Sequence, residues 1–216
     1  MDDPRDLRRT YDRIAGHFAA TREYAWPEVE AFVRDRPSGG VGLDIGCGNG
    51  RHAELLAERV DHVVGADLSR GLLEEARRRA RERAVAVELL QADAASLPIR
   101  SSRIDVGVYV ATLHHLPERE TRVASLDELA RVLAPGGRAL VSAWSTAHGR
   151  FADRGSNGEG FDTTVDWTLP DGETVPRFYH IYAPAEFEAD LATSALETVS
   201  FELSSGNCYA TVRAAD

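Results

Sequence analysis

Apolar positions along this 216-residue chain recur with two periods. Over residues 5–20, Leu7, Tyr11, Ile14, Ala15 and Phe18 fall at helical spacing, which predicts an amphipathic first helix. Pro27 suits the first turn of a second helix, with Val29, Phe32 and Val33 on its apolar side, ending before Pro37. From Val41 onward, short apolar runs alternate with helical stretches. Strands are expected at Val41–Ile45, 63–67, 85–90, Ile104–Val110 and 139–143, with helices over 53–60, 72–83 and 120–133. This alternation predicts an α/β domain built on a parallel sheet with helices on both faces. Residues 145–176 are rich in Gly, Asp, Ser and Thr without a sustained period, and are expected to form a mobile insertion. A last helix, Pro184–Thr193, precedes two strands, 197–203 and 208–213, joined by Ser204-Ser205-Gly206-Asn207 as an antiparallel hairpin. No repeat or linker divides the chain. One domain is expected: a helical extension (1–37), a ligand-binding core (41–143), the insertion (145–176) and a closing segment (177–216).

The stretch Val41-Gly42-Leu43-Asp44-Ile45-Gly46-Cys47-Gly48-Asn49-Gly50 organises the rest. An apolar strand runs into three alternating glycines and then a helix. A side chain at Gly46 or Gly48 would keep a ligand off the backbone at the strand end, and glycine permits the positive φ that such a turn needs. The following helix points unpaired N–H groups into the same crevice. A ligand is therefore expected outside the carboxyl ends of the strands. The spacing is G-x-G-x-G rather than G-x-G-x-x-G, which disfavours a nicotinamide-binding dehydrogenase. Asp67 ends the second strand, where a carboxylate can accept both hydroxyls of a ribose, while Ser69 is equally placed to cap the next helix. Past the third strand, Asp93 can accept the exocyclic amine of an adenine, with the Ala94 N–H donating to a ring nitrogen. Arg22 lies at the turn between the first two helices, within reach of the crevice.

Charge narrows the partners. The net charge of −10 gives no overall basic field to attract nucleic acid or an anionic membrane, so any RNA contact needs a local basic edge. All 25 basic side chains are arginine, which fits either a high-salt proteome or GC-rich coding. The run Arg77-Arg78-Arg79 with Arg81 sits beside Glu74, Glu75 and Glu82, and is expected to pair with them on a solvated face. Two cysteines, Cys47 and Cys208, form no disulfide framework and fit a reducing cytoplasm. No apolar run approaches membrane-spanning length, and Met1-Asp2-Asp3-Pro4 does not open a signal peptide. No metal-ligand cluster is visible.

The G-x-G-x-G turn, Asp67, Asp93 and the Pro135-Gly136-Gly137 turn together resemble the class I S-adenosylmethionine-dependent methyltransferases. That resemblance implies a seven-stranded sheet of order 3-2-1-4-5-7-6 with one antiparallel strand, and S-adenosylmethionine as cofactor. It implies a cofactor set of Asp44, Gly46, Gly48, Asn49, Asp67, Leu68, Asp93, Ala94 and Val110, with the glycines at the methionine part and Val110 contributing backbone near the sulfonium. A narrower resemblance covers most of the chain. Tyr11-Asp12-Arg13-Ile14-Ala15, Thr21-Arg22, Trp26-Pro27, Leu113-His114-His115-Leu116, Val165-Asp166-Trp167, Arg177-Phe178-Tyr179-His180 and Gly206-Asn207-Cys208-Tyr209 are similar to the tRNA wobble-uridine carboxymethyl methyl-ester methyltransferases. Phe178, Cys208 and Leu116 depart from that pattern, standing where the family carries larger aromatics.

The narrower resemblance implies esterification of a carboxymethyl group on a tRNA wobble uridine. It also implies a small zinc-binding activator subunit that covers an apolar edge. A carboxylate is ionised at neutral pH, with a pKa near ~4, and needs no general base; positioning then carries the catalysis. Arg22, His114 and His115 are the expected catalytic residues: Arg22 to orient the carboxylate, the histidines to contact the base or wall the pocket. Tyr11, Arg119, Arg122, Arg177 and His180 are the expected substrate contacts, with Arg119 and Arg122 sharing a helix face suited to phosphates. A small-molecule methyltransferase acting on a metabolite or quinone precursor shares every core motif. A catalytically silent cofactor-binding scaffold is the further alternative.

Overall fold

The computed structural model describes residues 4–151, 154 and 158–215. Among these, seven strands form one sheet: β1 (Val41–Ile45), β2 (His62–Asp67), β3 (Glu88–Gln91), β4 (Ile104–Val110), β5 (Leu133–Trp144), β8 (Leu196–Ser204) and β9 (Asn207–Ala214). A separate antiparallel hairpin is made of β6 (Phe161–Thr168) and β7 (Thr174–Ile181). The sheet order is β3-β2-β1-β4-β5-β9-β8. Pairing is parallel through β5, and β9 alone runs antiparallel, between β5 and β8. Counting only the sheet strands in chain order, this is the expected 3-2-1-4-5-7-6.

The central strands are apolar on successive residues because both faces are covered. Leu126 and Leu129 of α5 (Arg119–Val132) and Phe187 and Leu191 of α6 (Pro184–Thr193) pack one face against Leu43, Tyr109 and Val141. Val29, Phe32 and Val33 of α2 (Pro27–Arg34), with Ala53 and Leu56 of α3 (Arg51–Leu56), cover the other against Val106, Val108 and Leu140. Val29 and Val33 are fully buried, each contributing about 1.5–3 kcal/mol. α1 (Pro4–Ala20) lays Tyr11, Ile14 and Ala15 against Leu72 of α4 (Arg70–Glu82) and against Trp167 and Val175 of the hairpin. Asp12 fixes that placement: its Oδ1 accepts from the Ser69 hydroxyl (2.7 Å) and the Gly71 N–H (2.9 Å) at the start of α4.

Two expectations are corrected. The 145–176 stretch, part of which, including Gly155, lies outside the described residues, contains a regular strand. Within β6, Val165 and Trp167 point inward while Thr164, Asp166 and Thr168 are exposed, the period of two that marks a half-buried strand. β5 also begins earlier than residue 139, running from Leu133 through the Pro135-Gly136-Gly137 turn. Of the α4 arginines, Arg78 pairs with Glu75 and Glu82 on the helix as expected, whereas Arg79 is largely buried and reaches Glu54 of α3 at 2.6 Å instead.

Candidate active site

Strand register brings the chemistry to one edge. Ile45 pairs with Ala66 and Asp67 with Gln91, so the glycine turn, Asp67 and Asp93 leave neighbouring strands at similar height. They line a cavity of about 550 Å³ that α1 and the β6–β7 hairpin wall on its other side. The Gly46 and Cys47 N–H groups both donate to the Ala66 carbonyl (2.7 and 3.0 Å), which curls the glycine turn over the end of β2. Gly46 and Gly48 take φ of +69° and +55°. A Cβ on Gly46 would collide with the Thr112 side chain, so this glycine is required by the loop after β4 as well as by its own backbone. Ala111, in that loop, holds φ +55° through N–H bonds to the Ser142 carbonyl and hydroxyl, both at 3.2 Å.

The cofactor end fits S-adenosylmethionine. Asp67 Oδ2 accepts from the Gly48 N–H (2.9 Å) and Oδ1 from the Ser69 N–H (2.8 Å). One bond to each oxygen leaves lone pairs for two ribose hydroxyls. Ser69, not Asp67, caps α4, accepting from the Leu72 N–H at 3.1 Å. Burial raises the Asp67 pKa to about 6 against the opposing effect of those backbone donors, so it is ionised at neutral pH. Asp93 spends Oδ1 on the Ala95 N–H (2.9 Å), leaving its other oxygen and the neighbouring Ala94 backbone for an adenine. Leu68, Ala92 and Leu97 supply apolar wall.

The opposite end is aromatic and cationic. His115 Nδ1 lies 2.9 Å from the Phe178 carbonyl, which can only accept, so Nδ1 carries the proton and Nε2 accepts from the Tyr11 hydroxyl at 2.7 Å. Burial pushes His115 down to about 3 and His114 well below the usual imidazole range, so both are neutral. His114 Nδ1 accepts from the Trp144 N–H at 2.9 Å, which puts its proton on Nε2. Trp167 is held by its indole N–H on His17 (3.1 Å). Two guanidiniums share it: Arg22 lies 5.3 Å from the Trp167 ring centre and 5.4 Å from Phe18, and Arg177 lies 4.8 Å from Trp167 and 5.1 Å from Tyr179. Arg177 is 7% exposed, and its Nε is buried without a hydrogen-bond partner.

Tyr11, Arg22, Gly46, Gly48, Asp67, Leu68, Asp93, Ala94, His114, His115 and Arg177 thus converge on one cavity. Six other expected residues do not line it. Asp44 is buried behind the glycine turn, where burial raises its pKa to about 7. Asn49 donates to the Ala19 and Arg22 carbonyls (3.3 and 2.8 Å), tying the glycine turn to the end of α1. Val110 is buried and its carbonyl accepts from the Thr112 hydroxyl at 3.2 Å. His180 is clasped between Asp162 (2.7 Å) and Glu186 (2.8 Å), fastening the hairpin to α6. Arg119 donates to Asp190 at 2.7 Å. Arg122 is 3% exposed, donates to the Leu116 and Pro117 carbonyls, and faces Glu186 and Asp190 at 3.7 and 3.8 Å. The shared face of Arg119 and Arg122 packs against α6, with Arg122 buried and Arg119 half exposed. Thr112, Trp144, Trp167, Tyr179, Arg51 and Arg150 line the cavity without having been singled out as site residues. The alternation around Val165 and Trp167 was the available signal for Trp167.

Residues 43–137 match the family model described as "Methyltransferase domain". A Macaca fascicularis tRNA (carboxymethyluridine(34)-5-O)-methyltransferase is 38% identical over 139 residues, 64% of this chain and 20% of that protein. The Saccharomyces cerevisiae protein of that name is 33% identical over 79% of this chain and 59% of its own length. The Schizosaccharomyces pombe one is 32% identical over 76% of this chain and 68% of its own. The chain thus spans a fifth of the macaque relative and under two thirds of the budding-yeast one. Among solved structures, DhpI in complex with SAH superimposes with a TM-score of 0.74 at 22% identity, covering 98% of this chain and 97% of that one. The [4+2]-cyclase SpnF gives 0.74 at 18% identity, covering 97% and 95%, so the fold by itself does not name the reaction. On the strength of the sequence relatives, the chain belongs to the tRNA (carboxymethyluridine(34)-5-O)-methyltransferase family.

Proposed function

We propose that this chain methylates a carboxymethyl group on a tRNA wobble uridine, using S-adenosylmethionine. The observation that carries the reading is the Arg22–Trp167–Arg177 stack. Two guanidiniums face the cavity from one indole, and neither makes an ion pair with a carboxylate among the described residues. Their planar N–H forks suit a carboxylate in a two-pronged grip. The two charges also oppose each other: Arg22 has its pKa lowered first by burial and then by Arg177, so an anion between them relieves repulsion.

S-adenosylmethionine, when bound, supplies an electrophilic methyl group. The residues of the chain have to bring a carboxylate oxygen in line with it and keep water away. Arg22 and Arg177 orient that oxygen. The Tyr11–His115–Phe178 hydrogen-bond chain locks the wall beside it, and Phe18, Trp167 and Tyr179 exclude water. Neutral His114 and His115 suit this chemistry, because an ionised carboxylate has no proton to give up.

We further propose a cytoplasmic enzyme, in keeping with two buried free thiols, and a small zinc-binding activator subunit as partner. The sheet ends on two edge strands, β3 and β8, and the latter exposes Val199 and Leu203, which offers such a partner pairing groups and apolar surface. The test is labelled-methyl transfer to purified tRNA and to a panel of small carboxylates, with the chain alone and co-expressed with a small zinc protein. Labelling of tRNA, with higher soluble yield on co-expression, is expected. Transfer only to small carboxylates would establish the metabolite reading instead.

A further inference from the structure

Many arginines of this lysine-free protein pair with carboxylates on its outer surface, and a separate group gathers at the cavity. On the outer helices, Arg70 faces Glu74, Arg78 faces Glu75, Arg79 faces Glu54 and Arg131 faces Glu128. At the cavity, Arg8, Arg22, Arg51, Arg150 and Arg177 make no ion pair among the described residues. Four of these five sit on aromatic faces. Arg51 lies 5.2 Å from the Trp26 ring centre and Arg150 6.0 Å from Trp144, alongside Arg22 and Arg177 on Trp167. All three tryptophans of the chain therefore lie under cavity arginines. A ring face fixes a guanidinium through its π-cloud and leaves the in-plane N–H fork free, whereas a carboxylate consumes that fork. The fold thus places anchored, unneutralised cations at one mouth of a molecule whose net charge is −10.

The central pair, Arg22 and Arg177, is taken by the carboxylate in the reading above, on which this inference rests. We propose that Arg51 on Trp26 and Arg150 on Trp144 are seats for the backbone phosphates of the nucleotides adjoining the target. Arg51 also donates to the Tyr24 carbonyl (3.3 Å), which holds the bend between α1 and α2 at the mouth. The charges lie close enough to be felt by one another: Arg51 is lowered to about 10, first by burial and then by Arg22, and remains cationic at neutral pH. Unlike Arg51 and Arg150, Arg119 and Arg122 are ion-paired with acidic side chains of α6.

The test is filter binding of a synthetic anticodon stem-loop RNA across a salt series. Arg51→Ala and Arg150→Ala are each expected to weaken binding about five- to tenfold and to reduce the salt slope by about one. Arg77→Ala and Arg81→Ala, which remove the same charge from exposed positions on α4, should move neither quantity. Arg51→Lys keeps the charge and loses the fork, so affinity should fall with the slope retained. Arg150 is exposed, so its variant reads the proposal even if the Arg51 change loosens α2. Unchanged binding by both mouth variants, equal losses in all four alanine variants, or no RNA binding by the wild type would overturn the proposal. Binding is read without methyl transfer, so a failure of the wobble-uridine reaction is seen separately.

Discussion

At the residue scale, the chemistry divides between groups that must be charged and groups that burial keeps neutral. Arg22→Ala should lower turnover at saturating tRNA roughly 10- to 100-fold, the loss of one charge-assisted hydrogen bond of about 1.5–3 kcal/mol, with S-adenosylhomocysteine affinity unchanged by calorimetry. A variant altered only in KM would show that Arg22 binds tRNA without orienting the reacting group. Asp67→Ala should do the reverse, weakening S-adenosylhomocysteine by about 1–3 kcal/mol; unchanged affinity would remove Asp67 from the site. Asp44 gives a pH signature. Its pKa is about 7 in the folded chain against about 3.9 unfolded, so between those values the folded state binds the extra proton and its stability falls as pH rises. Asp44→Asn should therefore melt above the wild type at pH 8, with the advantage shrinking toward pH 4. An advantage that grows on acidification would contradict this.

At the element scale, what sequence revealed followed from local pattern, and what it hid followed from tertiary contact. The glycine turn, Asp67 and Asp93 were legible because a strand end and a glycine fix backbone direction over a few residues. Arg119 and Arg122 were placed on a common helix face correctly, but what that face meets depended on α6 folding back from sixty residues away. The β6–β7 hairpin was lost among glycines and short polar residues, although Val165 and Trp167 alternate. Arg122→Ala should remove the buried cation that Asp190 and Glu186 share, while Asp190 keeps Arg119 at 2.7 Å and Glu186 keeps His180 at 2.8 Å. A cost of about 1–3 kcal/mol is expected, read as a lower denaturation midpoint with an unchanged RNA salt slope. A stable Arg122→Ala protein with a reduced slope would restore the phosphate-binding role.

At the scale of the whole molecule, the alternating apolar runs made an α/β sheet readable and the family resemblance supplied its order, in which β9 enters antiparallel between β5 and the edge strand β8. The distribution of charge was not readable, because which arginines meet a carboxylate and which meet a tryptophan is decided by packing. That partition is what lets an acidic chain present a cationic mouth. In the proposed reaction this mouth delivers a wobble-uridine carboxylate for methylation. Mass spectrometry of wobble nucleosides from cells lacking the gene, complemented with wild type or Arg22→Ala, tests it with any partner in place. Accumulation of the free carboxymethyl acid in the deletion, return of the methyl ester with the wild type and its continued absence with Arg22→Ala are predicted; a methyl ester that persists in the deletion strain would contradict the account.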